Sequence, residues 1–128
     1  MASKTWSSQA ELQTWSWTNA DLATVEGSVL VAAGQVQAVG VSPAYECANW
    51  TRWSQYIVNG TRPAGANYYL RFKVAETEAG LVAASWSEYI DGVDANGTIG
   101  FDLRTFTLNN PTFNVGPWVQ LELTLETS

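Results

Sequence analysis

The stretch PWVQLELTLE, residues 117–126, decides how this chain is read. Val119, Leu121, Leu123 and Leu125 alternate with Trp118, Gln120, Glu122, Thr124 and Glu126, and a strict period of two is the mark of a strand with one buried and one solvated face. A second stretch, YYLRFKVAE, splits the same way. It turns Tyr68, Leu70, Phe72 and Val74 inward and Tyr69, Arg71 and Lys73 outward. In TIGFDLRTFTL the alternation runs through Ile99, Phe101 and Leu103 and then shifts phase to Phe106 and Leu108, which predicts a bulge or bend near Arg104 and Thr105. SVLVAA, QVQAVGV and LQTWSWT, rich in Val, Thr and Trp, add shorter strand candidates.

Between these runs stand turn-forming residues: Gly34, Asn59-Gly60, Pro63 to Gly65, Ala79-Gly80, Asp91-Gly92, Asn96-Gly97, Asn109 to Pro111 and Gly116-Pro117. A helix is conceivable only near SSQAELQ. Regularly punctuated short strands predict an all-β domain, a single antiparallel β-sandwich of jelly-roll type. At 128 residues the chain is expected to form one domain over 14–128, preceded by an N-terminal arm, 1–13. Trp6 is the large anchor of that arm, which is expected to lie against a neighbouring subunit or the surface of a larger particle rather than in its own sandwich.

WSQYI at 53–57 is echoed by WSEYI at 86–90, and each copy is followed by Asn-Gly-Thr. Nothing else recurs at that offset, so the echo reads as two similar strands rather than a duplicated unit.

Hydrophobic residues make up 46% and charged residues 14%, so the solvent face has to be built largely from the 37 Ser, Thr, Asn and Gln. The net charge is -6, and the six basic residues cluster no further than Arg71 and Lys73; a phosphate backbone meets no positive field, and no nucleic-acid partner is expected. The longest aliphatic run, Val29 to Ala33, is too short for a membrane span, and residues 1–13 lack the apolar core of a signal peptide.

Catalytic chemistry has little to work with. There is no His, and the closest carboxylates, Glu76 with Glu78 and Asp91 with Asp94, fall at a strand end and in a turn, where solvated acids are ordinary. No enzymatic activity, cofactor or structural metal is expected. DGVDANGT matches the middle of a calcium loop at Asp94, Asn96 and Gly97 but fails at both ends, leaving a looser site at Asp91, Asp94 and Asn96 open. Asn49, Asn59 and Asn96 begin glycosylation sequons that read more simply as turn residues. Cys47 is the single cysteine, excludes an internal disulfide and is expected to be a small buried hydrophobe.

The aromatic residues are the informative class: seven Trp, five Tyr and four Phe. Trp118 and Tyr69 alternate onto the polar faces of their strands, and Trp15 and Trp17 share a face with Gln13. With Trp6, these are the candidate binding or interface residues, since outward aromatics suit either a sugar-stacking platform or a protein contact.

SWSEYI, IGFDLRTFTL and GPWVQLELTLE together resemble small β-sandwich modules of bacteriophage tail and virion structural proteins. Trp86, Ser87 and Tyr89 match a Trp-Ser-x-aromatic element, and Trp118, Gln120, Leu121, Thr124 and Leu125 match a closing aromatic-x-Gln-hydrophobic strand. Pro117 and Glu122 depart from that pattern. The resemblance spans residues 45–128 and implies a structural or attachment role on a virus particle, as a capsid decoration or tail component with other virion proteins and further copies of itself as partners. The alternative expectation is a carbohydrate- or receptor-binding module that meets a cell-surface glycan.

Overall fold

The structure, a computed structural model, describes residues 4–47, 55–61, 67–91, 96–102 and 116–127. Its elements run α1 (Gln9–Leu12), β1 (Ser16–Thr18), β2 (Ala20–Asp21), β3 (Leu30–Val31), β4 (Gln37–Val41), β5 (Tyr45–Glu46), β6 (Gln55–Thr61), β7 (Asn67–Ala75), α2 (Glu78–Ala83), β8 (Ile90–Asp91), β9 (Asn96–Asp102) and β10 (Trp118–Glu126). The chain is all-β, with two short helices among the described residues.

The closing strand β10 is the hub. It pairs along its whole length with β7, from Trp118 opposite Ala75 to Glu126 opposite Asn67. On its other side it meets β4 and then β5 in turn. The resulting antiparallel sheet runs β1-β4-β10-β7-β8, with β5 joined to β10; β2 with β3 and β6 with β9 form separate two-stranded ladders among the described residues. The second layer of the expected sandwich is therefore not defined by the described residues, and the phase change at Arg104 and Thr105 lies outside them.

The expected alternation holds on the core face. Tyr68, Leu70, Phe72, Val74 and Val119 form the buried cluster, with Tyr45, Leu121, Leu123 and Leu125 packed against it. The register explains why these residues meet, because Leu121 stands opposite Phe72 and Leu123 opposite Leu70. Each fully buried large side chain contributes about 1.5–3 kcal/mol. Gly40 extends the face under a tryptophan: it pairs with both Trp17 and Leu123, and a Cβ there would lie 2.2 Å from the Trp17 ring. Only a residue without a side chain lets the indole lie flat on the strand.

Two serines patch the ladders. Between β4 and β5 the chain leaves β10, and the Ser42 hydroxyl accepts the Leu121 N–H at 2.9 Å. At the other edge Ser87 donates its N–H to the Phe72 carbonyl at 2.8 Å, while its hydroxyl accepts the Phe72 N–H at 3.0 Å. The second echo segment is thus an extended strap whose ladder pairing begins only at β8, where Ile90 opposes Leu70. In the first echo, Trp53 and Ser54 lie outside the described residues and the rest enters β6.

Several turn expectations are corrected. Asn59 and Gly60 lie inside β6 and Asn96 and Gly97 inside β9, with Asn59 opposite Thr98 and Gly60 opposite Gly97. Cross-strand pairing overrides the local turn preference of these dipeptides. Ala79-Gly80 is the first turn of α2: Thr77 caps it by accepting the Gly80 N–H at 2.9 Å, and Leu81 anchors it. SSQAELQ does yield a helix, closed by a capping box in which Ser8 and Glu11 exchange hydrogen bonds. LQTWSWT accordingly contributes only Ser16–Thr18 as a strand. Asn19 follows in the left-handed region at φ 58°, which Asn tolerates better than most residues.

Candidate functional site: the polar face of the sheet

The face of β7 and β10 opposite the core was expected to be solvated, yet much of it is buried. Lys73 is 7% exposed, Glu122 5% and Thr124 5%. The cause is an ion pair roofed by aromatic rings. Arg71 and Glu122 stand directly opposite each other in the register. The guanidinium donates from Nε to Oε1 at 2.9 Å and from Nη2 to Oε2 at 2.8 Å, the two-pronged geometry in which Arg binds carboxylate most firmly. These bonds hold Arg71 above its usual pKa, with burial pulling the other way.

Above the pair runs the strap, residues 86–89. The Arg71 guanidinium lies 4.9 Å from the Trp86 ring centre and 4.6 Å from that of Tyr89, and the Lys73 ammonium lies 4.8 Å from Trp86. A desolvated cation over an aromatic face contributes on the order of 2 kcal/mol. Trp86-Ser87-x-Tyr89 is therefore one device: Ser87 fastens the strap to β7, and the two rings hold the cations of that strand.

Beside the strap opens a groove of about 460 Å³. Its floor is Tyr69 and Arg71 of β7 with Glu122 and Thr124 of β10. Its walls are Gln37 and Val39 of β4 on one side and Tyr89 on the other. Tyr89 is 56% exposed and meets Tyr69 edge-on at 6.5 Å between ring centres.

The sequence-expected site residues divide between the two faces. Tyr69 lines the groove. Trp118 lies on the same face but farther along, opposite Ala75 and Glu46, and is half-buried. The other three belong to the core side. Trp15 is 9% exposed and stacks on Trp17 at 5.5 Å with 14° between planes; Trp6 meets Trp15 edge-on at 5.5 Å and Tyr45 at 6.3 Å. The Trp17 indole N–H donates to the Leu12 carbonyl at 2.8 Å, tying α1 to β1. Trp6 thus packs against residues of its own chain, with Lys4 over its ring at 5.4 Å.

Arg71, Trp86, Tyr89, Glu122 and Thr124 were not among the sequence-expected binding residues. The available signal was an Arg and a Glu each at the centre of an alternating strand. Cys47 is half-buried rather than fully buried, with its N–H bonded to the Pro117 carbonyl. Of the calcium expectation, Asp91 ends β8, Asn96 begins β9, and Asp94 lies outside the described residues. Among the described residues no three acids, Cys or His gather where a metal could sit, and no helix is long and apolar enough to cross a membrane.

Neither family models, nor curated proteins, nor solved structures contain a match to this chain.

Proposed function

We propose that this chain is a bacteriophage virion structural protein, a capsid decoration or tail component that acts by contact rather than catalysis. The observation that carries the reading is the meeting of the two motifs behind the resemblance. Trp86, Ser87 and Tyr89 form the strap over Arg71 of β7, and Trp118 through Leu125 lie on β10, which pairs with β7 along its length. Gln120 also has a structural task, donating to the Ser42 carbonyl at 2.9 Å where β4 gives way to β5. The matched residues thus lie on the two elements that flank β7. β1 and β8, the short outer strands of the sheet among the described residues, and the half-buried Trp118 supply surfaces for assembly with other virion proteins and further copies of the chain.

The test is density-gradient purification of particles from the source culture with quantitative mass spectrometry across the gradient. The reading expects the chain to peak with the particles at many copies each. A chain confined to the soluble fractions would overturn it.

The groove favours a second reading, a carbohydrate- or receptor-binding module. It combines an exposed Tyr with fixed polar groups in a concave site, the composition of small-ligand sites in general.

A further inference from the structure

We infer that the groove on the polar sheet face binds a neutral saccharide, with Tyr89 as stacking surface and Thr124, Arg71 and Gln37 as hydrogen-bonding groups. The inference rests on the second reading above and specifies its ligand class.

Thr124 brings a hydroxyl-bearing side chain to the groove floor. Its side chain lines the groove, and the residue is 5% exposed. A hydroxyl both donates and accepts, so it can pair with a ligand hydroxyl in either sense. Arg71 adds donors. Two of its five N–H groups bind Glu122, and the other three include the pair on Nη1. Gln37 brings an amide, both donor and acceptor, and Tyr89 a phenol.

Charge selects among ligands. Arg71 and Glu122 neutralise each other at the groove floor, so an anion gains no net field and would compete with Glu122 for the guanidinium. A wholly apolar ligand would bury Thr124 and the remaining Arg71 donors without partners. A pyranoside satisfies both conditions: it is uncharged, each hydroxyl donates and accepts, and its C–H face packs on an aromatic ring. The near-perpendicular Tyr69 and Tyr89 rings, 79° apart, form a corner for such a ring. The volume of about 460 Å³ falls within the ~300–1,000 Å³ of small-ligand sites. The groups are also preorganised, since the ion pair and the strap hold Arg71 and Tyr89 before any ligand arrives.

The experiment is saturation-transfer NMR on the full chain with the methyl glycosides of glucose, galactose, mannose and N-acetylglucosamine. The methyl glycoside of sialic acid serves as the anionic probe. The expected result is transfer to at least one neutral glycoside, weakened tenfold or more in Tyr89→Ala and in Thr124→Val but unchanged in Val82→Ser, a substitution on the exposed face of α2. No transfer to any neutral glycoside, unchanged transfer in both groove variants, or a preference for the sialoside would each overturn the inference. Should either groove variant fail to fold, amide-shift mapping on the unaltered chain decides: shifts centred on Gln37 and Thr124 support the groove, and shifts centred elsewhere overturn it. Co-migration with particles is read from the density gradient, so failure of the glycan inference stays distinct from failure of the virion reading.

Discussion

At the scale of single residues, the energetics of the polar face turn on the Arg71–Glu122 pair. Glu122 is almost fully buried while about a quarter of the Arg71 side chain remains exposed. Arg71→Ala leaves a buried carboxylate without its cation and removes the filling between Trp86 and Tyr89. The expected loss is about 2–4 kcal/mol, below the ~3–5 of a fully buried pair because Arg71 is partly solvated. Replacing both partners, Arg71→Met with Glu122→Leu, is expected to recover most of that loss, since no charge is then stranded. Urea unfolding of the three proteins decides it, and a double variant as unstable as the single one would contradict the pair's role. This pairing was only half legible in the sequence. The outward position of Arg71 and Glu122 follows from alternation, but the residues lie 51 positions apart, and only the register brings them opposite each other. The same gap hid Thr124 and made Lys73 look solvated, because nothing local reveals that the strap folds back over β7.

At the scale of elements, β7 and β10 were legible because long alternating runs report which face is buried. The inward side chains named from alternation are those of the core. The short elements were not. α2 has only six residues, too few for a helical period to show, and it stands on one cap and one buried Leu. Asn59-Gly60 and Asn96-Gly97 carry the chemistry of turns, yet each finds its partner across a ladder that local sequence cannot display. The patch at Ser42 makes a sharp prediction. Ser42→Ala deprives the Leu121 N–H of its acceptor in a buried stretch and is expected to cost about 1–3 kcal/mol, measured as a lower urea midpoint at unchanged slope. A second prediction concerns α1. The N–H and hydroxyl of Ser8, with the N–H of Ser7, hold the Glu11 carboxyl below its usual pKa. A carboxyl with a lowered folded-state pKa stabilises the fold above the unfolded value, about 4.3, and loses that contribution as pH falls through the folded value. Asp21, lowered chiefly by the Thr24 hydroxyl, acts in the same direction. The stability difference between the unaltered chain and Ser8→Ala is therefore expected to shrink as pH drops from 6 to 3. A difference that grows on acidification would contradict the capping box.

At the scale of the whole molecule, one sheet has two differently built faces. The core face is hydrophobic, and the row Trp17, Trp15, Trp6 and Tyr45 extends along its β1 and β5 side. The aromatic-rich sequence thus divides between structural packing and the strap that organises the opposite face, a division that composition alone could not make. All-β architecture was legible from alternation and punctuation, while the partners of the sheet were not, because recognition depends on which polar groups converge and not on how many there are. The polar face is assembled in advance around a locked Arg71. The most direct test is the NMR signal of its Nε–H in the free chain at neutral pH. A sharp, slowly exchanging resonance is expected, moved from its usual position by the Trp86 and Tyr89 ring currents and lost from that position in Glu122→Gln. A rapidly exchanging Nε–H at the shift of a solvated arginine would contradict it.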